Sequence, residues 1–232
     1  MKIEYVDHMG SDLSVTNAAR VSFDKESVPC HYRYVEINGG IISVPVIDTR
    51  DSQLVSYLAR HAHWSPFAHA VVSFRWKAPI FVARQLVKHQ VGLTWNEVSR
   101  RYVRNIPELY WPEKWRLAAD NVKQGSSNAE FYDPGILSDA FQDAELQVRR
   151  YQEMLDLGLC PEQARMFLPQ NTYTEWIWTG SLYAWARVYN QRTDPTAQKE
   201  TRELVEQLDN YMGKLFPVAW KVLTKENDNE VA

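Results

Sequence analysis

Gln85, Lys88 and His89 stand three and four residues apart, a spacing that puts all three on one face of any helix drawn through them. Ile80, Ala83 and Val87 would form the opposite, buried stripe. Taken alone, such a face is ordinary helix surface. The segment that follows adds chemistry to it. If Asn96 to Tyr102 is extended, Glu97, Ser99 and Arg101 point to one side and line a single ledge. Its guanidinium offers a two-pronged fork to a phosphate, its hydroxyl adds a donor, and its carboxylate can accept from a sugar hydroxyl. The plain alternative is an exposed strand with a cross-strand salt bridge. From Lys77 to Arg104 the only acid, Glu97, faces Lys77, Arg84, Lys88, Arg100, Arg101 and Arg104. The whole chain carries a net charge of −3, which disfavours a general nucleic-acid binder. A local positive field in a near-neutral protein suits a phosphorylated small molecule better than a polymer.

Other constellations carry less. His61, His63 and His69 resemble a metal-ligand spacing, but no acidic partner lies close and no metal is expected. Cys30 and Cys160 form neither a disulfide framework nor a CxxC pair. No GxxxxGK and no GxGxxG occurs among the nine glycines, so a dinucleotide is not held in the Rossmann manner. The aromatic run from Trp176 to Trp185 reads as packing. Arg192, near a helix C-terminus, reads equally as a partner of the helix dipole and as a site residue.

The elements that must hold these residues follow from periodicity. With 232 residues, 45% of them hydrophobic, the chain suits one domain over 1–232, with a polar tail at 225–232. Residues 2–6 alternate as a strand. A helix is expected over 14–22 with Ser14 as its cap, and a hairpin over 29–45 around Gly39–Gly40. Asp51 is expected to cap a helix through Leu54, Leu58 and His61. Residues 69–78 alternate, with Val72, Phe74 and Trp76 on one side. Pro79 opens a helix to about Val91 that Gly92 ends, and 96–104 is extended. Residues 105–136 read as a long polar connection. Phe141, Ala144, Val148, Tyr151 and Leu155 mark a helix that Gly158 closes, and a short helix follows Pro161. A strand is expected at 172–178 and a helix capped by Ser181 to about Arg192. Pro195 opens a last long helix through Leu204, Leu208, Tyr211 and Leu215. Strands and helices mix without a βαβ beat, so the fold class is α+β. The N-terminus has no apolar core of a signal peptide and no run of 18 apolar residues occurs. The expectation is a soluble cytoplasmic protein (of the host cytoplasm, if a virus encodes it) with no membrane partner.

From Lys88 the chain reads K-H-Q-V-G-L-T-W-N-E-V-S-R-R-Y. This resembles the signature R-H-R-x-x-S-x-N-E-x-S-x-R-Y of the flavin-dependent thymidylate synthases. The half from Asn96 to Tyr102 matches fully. In the other half Lys88 and Gln90 replace arginines, Thr94 replaces serine, and one extra residue intervenes. The segments Asn17–Ser22, His63–His69, Lys77–Gln85, Ala164–Pro169 and Arg192–Gln198 are similar to the family's in the same order. Neither the hairpin region nor 105–136 is covered by the resemblance.

The resemblance implies a mixed α+β homotetramer whose neighbouring subunits share active sites. It implies conversion of dUMP to dTMP with methylenetetrahydrofolate as carbon donor and FAD, cycled by NADPH, as reductant. By match, Gln85, Lys88, Glu97, Ser99, Arg100, Arg101, Arg165 and Arg192 would hold dUMP. Arg192 would be catalytic, stabilising negative charge on the uracil ring. His63, Ser65, Lys88, His89, Gln90, Glu97, Ser181 and Arg187 would lie along FAD, although the family usually has asparagines where Ser181 and Arg187 stand. A non-catalytic nucleotide-binding or assembly protein on the same fold is the alternative, given the substituted R-H-R half.

Overall fold

The computed structural model describes residues 1–119 and 125–224. The expected tail at 225–232 lies outside them, as does 120–124. Four antiparallel strands form the central sheet in the order β1-β4-β8-β5: β1 Lys2–Met9, β4 Val71–Pro79, β8 Tyr173–Ser181 and β5 Leu93–Glu97. The period-2 alternation read at 69–78 is what builds it. Val72, Phe74 and Trp76 are fully buried on one face, and the register sets Trp76 opposite Trp176 and Phe74 opposite Trp178. The other face is polar. There the Ser73 and Thr179 hydroxyls meet at 2.8 Å, and Arg75 donates through Nε to Glu175 at 2.9 Å.

Helices cover the apolar face. They are α1 Asp12–Arg20, α2 Thr49–Arg60, α3 Ile80–Leu86, α6 Leu182–Arg192, α7 Lys199–Val205, α8 Asp209–Leu215 and α9 Ala219–Thr224. One buried cluster runs from Ile3 to Trp220 and joins these helices to the sheet. At its centre five indoles touch. Trp95 stacks on Trp176 with ring centroids 4.2 Å apart, and Trp76 stacks on Trp185 at 5.9 Å. Trp178 meets Trp76, Trp95 and Trp185 edge-on at 5.2, 5.1 and 5.0 Å. Helix α4 (Pro134–Asp156) and the short α5 (Pro161–Ala164) carry a second, smaller cluster around Tyr151, Leu155 and Ala164. The architecture is α+β. Among the described residues no helix is long and apolar enough to cross a membrane.

Several boundaries differ from the sequence expectation. Ser11 is the N-cap of helix α1, and Ser14 sits in the first turn, where its hydroxyl accepts from the Ser11 N–H at 3.1 Å. Asp48 caps α2 by accepting from the Asp51 N–H at 2.7 Å, because the buried Asp51 carboxylate is taken by Arg20, whose Nε lies 3.0 Å away. The hairpin of β2 (His31–Ile37) and β3 (Gly40–Val46) turns on Asn38 and Gly39, both at positive φ (51° and 77°). The connection at 105–136 holds a small hairpin, β6 Arg116–Ala118 with β7 Ser126–Glu130, and the first turn of α4, capped by Asp133. In place of one helix from Pro195, Asp194 accepts from the Thr196 N–H at 2.8 Å and forms a turn. Helix α7 starts only at Lys199. A 3-10 turn at Glu206–Leu208 separates it from α8, which ends before Pro217.

Candidate active site

Helix α3 stops at Leu86, five residues short of its expected end. The His89 N–H bonds to the Leu86 carbonyl at 3.0 Å and the Leu93 N–H to the Gln90 carbonyl at 3.2 Å, so the chain reverses into β5. Gly92 makes the reversal possible with φ +76°, and a Cβ there would come within 3.1 Å of Ala184. Lys88, His89 and Gln90 therefore ride on a loop at the foot of α6. With Val91, Leu93, Arg187 and Arg192 they line a cleft of about 280 Å³.

Arg192, half-buried in the last turn of α6, donates through Nε to His89 Nε2 at 2.8 Å and through Nη2 to the Gln85 carbonyl at 3.3 Å. A ring nitrogen that accepts from a guanidinium must be unprotonated. Burial, and then the charges of Arg192 and Arg187, push the His89 pKa down to about 4, so the ring is neutral near pH 7. Lys88, Arg187 and Arg192 have no carboxylate partner among the described residues, and no acid lines the cleft. The cleft is cationic and open to anions such as the phosphates of a dinucleotide.

Glu97, Arg100 and Arg165 line a different cleft, of about 360 Å³, which shares no residue with the first. Glu97 ends β5, accepting from Thr174 Oγ1 at 2.7 Å and from Trp95 Nε1 at 3.3 Å. Lys77 and Arg75 also reach this cleft, but Lys77 is paired with Glu108 at 2.7 Å and Arg75 with Glu175. Arg100 donates to Asn105 and Arg165 to the Glu162 carbonyl, so both guanidinium charges lack a carboxylate there.

The single ledge of Glu97, Ser99 and Arg101 does not form. The extended segment starts earlier and ends sooner, at Glu97. Ser99 Oγ accepts from the Arg101 N–H at 3.3 Å, and the Ser99 carbonyl accepts from Tyr102 and Val103. A serine hydroxyl that bonds its own backbone turns the chain away from the ladder. Arg101 swings out to pair with Glu162.

The remaining expected site residues lie outside both clefts. Ser181 caps α6, accepting from the Ala184 N–H at 3.2 Å. His63 meets the Tyr57 ring edge-on at 6.1 Å, and Ser65 opens the 3-10 turn Ser65–His69. Gln85 turns inward to Gln198 and Thr201. Sequence reasoning missed Glu200 and Thr201, two buried polar residues on α7. Their signal was polar character next to the apolar run at Leu204 and Val205. Among the described residues no three His, Cys, Asp or Glu side chains gather as a metal site.

Comparison with known proteins places this geometry. The family model described as "Thymidylate synthase complementing protein" matches residues 4–218. The flavin-dependent thymidylate synthase of Thermus thermophilus is 34% identical over 218 residues, covering 94% of this chain and 73% of that protein. That of Thermotoga neapolitana is 32% identical over 228 residues, covering 96% and 90%. The crystal structure of a UMP/dUMP methylase, PolB from Streptomyces cacaoi, bound with 5-Br dUMP, superposes with a TM-score of 0.77 at 29% identity, covering 96% and 94%. A match along nearly the whole chain, through both clefts and the strand between them, makes this chain a member of the flavin-dependent thymidylate synthase family.

Proposed function

We propose that this chain catalyses the reductive methylation of dUMP to dTMP, with methylenetetrahydrofolate as carbon donor and NADPH-reduced FAD as reductant. The observation that carries the reading is the cationic cleft of Lys88, Arg187 and Arg192 beside the unprotonated His89. Its donor set fits a phosphate-bearing flavin: three cations without a carboxylate, on a loop and helix that leave the cleft open. Lys88 and Gln90 would supply a point charge and an amide there rather than the fork of an arginine. FAD, when bound, supplies the reducing equivalents.

The chain's own residues do the rest. Arg192, with one N–H held by His89, keeps further donors for an oxygen or nitrogen that gains negative charge on the pyrimidine. Arg165, Arg100 and Glu97 offer guanidinium and carboxylate groups to the phosphate and sugar of a nucleotide. The related methylase was solved with 5-Br dUMP bound, which supports a pyrimidine nucleotide as substrate. Because Lys88 and Arg192 line one cleft while Glu97, Arg100 and Arg165 line the other, the reading includes a homotetramer in which Arg192 of one subunit, with Gln85 behind it, meets Glu97 and Arg165 of another. Residues 1–232 act as one catalytic domain. The reading includes a cytoplasmic protein, in the host cytoplasm if a virus encodes it. The relatives described above carry synthase or methylase names, so a non-catalytic binding role has less support.

The test is release of tritium from 5-labelled dUMP in the presence of FAD, NADPH and methylenetetrahydrofolate. Release that depends on all three is expected. Protein that is loaded with FAD yet releases none overturns the reading.

A further inference from the structure

A polar chain crosses the molecule from the small hairpin to α3. Arg116 on β6 donates through Nη2 to both carboxylate oxygens of Glu200 on α7, at 2.8 and 3.0 Å. Gln198 donates through Nε2 to Glu200 Oε2 at 2.9 Å. Gln85 donates through Nε2 to Gln198 Oε1, and Thr201 Oγ1 donates to Gln85 Oε1 at 3.3 Å. Glu200 is 6% exposed and Thr201 is fully buried, so these bonds are little diluted by water.

The direction of this chain is dictated by one charge. Burial works against the Glu200 carboxylate, but hydrogen bonds from Gln198, its own backbone N–H and Arg116 hold its pKa below the ordinary value. An ionised carboxylate only accepts. Gln198 must therefore turn its NH2 to Glu200 and its carbonyl oxygen to Gln85. Gln85 in turn must present NH2 to Gln198, while its own oxygen is occupied by Thr201. The orientation of both amides is thus a requirement of the network, which is the only physical basis for assigning such amides.

We infer that Arg116, Glu200 and Gln198 are positioning residues that fix Gln85 as a hydrogen-bond donor to an oxygen acceptor of the substrate. The inference rests on the reading of Gln85 as a dUMP contact. One N–H of Gln85 is used by Gln198, and the other is left for a pyrimidine carbonyl. Arg116 gives the small hairpin, which none of the signature segments read from the sequence includes, a role in substrate recognition.

The test uses the FAD-loaded full-length enzyme, with dUMP affinity from titration calorimetry, FAD occupancy from visible absorbance, and kcat from tritium release. Replacing both members of the ion pair, Arg116→Met with Glu200→Met, avoids stranding a buried charge. That double variant is expected to keep its FAD and to bind dUMP about tenfold more weakly, the worth of one well-placed hydrogen bond. Gln198→Met, which leaves the ion pair intact, is expected to do the same and decides the matter if the double variant does not fold. Arg116→Lys keeps the charge and is expected to stay within about threefold of the unaltered enzyme. In both weakened variants KM for dUMP rises while kcat at saturation holds. Variants that bind dUMP as tightly as the unaltered enzyme, which itself binds and turns over, overturn the positioning role alone. An unaltered enzyme that does not bind dUMP overturns it together with the proposed function.

Discussion

Arg192 has two of its N–H groups held by the protein, one by His89 and one by the Gln85 carbonyl. That restraint is what makes it a good receiver of developing charge, since little reorganisation remains when the charge appears. Arg192→Ala is expected to abolish tritium release from 5-labelled dUMP while leaving the melting temperature near that of the unaltered protein. Near-normal turnover would mean that another cation does this work. His89 brings a pH dependence. In the unfolded chain its ring takes a proton near pH 6.5, but in the fold only near about 4. Between those values the unfolded state binds more protons, so the stability this group contributes is complete above pH 6.5 and falls as the pH drops towards 4. His89→Gln keeps an acceptor without titrating, and melts between pH 7.5 and 4 are expected to show a shallower acid decline than the unaltered protein. An equal decline would place the acid sensitivity elsewhere. At this scale the sequence brought Lys88, His89 and Gln90 together by adjacency. The contact of Arg192 with His89, 103 residues away, had no local signal.

Strands β4 and β8 were legible because their alternation is decided by one buried face, whatever lies beyond. The end of α3 was not, because Val87 and Val91 continue its apolar period while the need of β5 to reach β8 ends it. Gly180 on β8 shows how tightly that strand is received. A Cβ at Gly180 would lie 2.2 Å from Leu93 Cδ2 and 3.1 Å from its Cγ. Gly180→Ala is therefore expected to push β5 away and cost about 1–3 kcal/mol, read as a lower denaturant midpoint. Leu93 also lines the cationic cleft, so the same variant should retain less FAD on gel filtration. A variant with unchanged midpoint and flavin content would show that Leu93 yields freely. The broken C-terminal helix was illegible for a related reason. The turn that Asp194 makes is local, but the buried Glu200 in the first turn of α7 answers to Arg116, 84 residues earlier.

Across the whole molecule, the two clefts make a prediction that no single residue can. If a working site takes Gln85 and Arg192 from one subunit and Glu97 and Arg165 from another, two inactive variants can repair each other. Arg192→Ala and Glu97→Ala chains, each inactive alone, are expected to regain about one quarter of full activity when subunits are exchanged in equal amounts, since half of the mixed pairs' sites are intact. Activity no greater than the sum of the parents would mean that one chain builds its site alone. The α+β class was readable from the mixture of periods, as was a local cationic region. How the site residues divide between clefts was not, because that depends on where β5 ends and how the chain turns at Ser99.

The packed indoles of Trp76, Trp95, Trp176, Trp178 and Trp185 have an optical consequence. Aromatic rings held this close, at fixed angles in a chiral frame, share their electronic excitation. Circular dichroism across the strongest indole absorption band, below the near ultraviolet, should therefore show a tryptophan couplet that belongs to the group and to no single ring. Because three of the five sit on β4 and β8 and one on β5, a small slip of either strand pairing would change the couplet before any helix melted. The sheet thus carries its own spectroscopic register mark, readable in solution without a label.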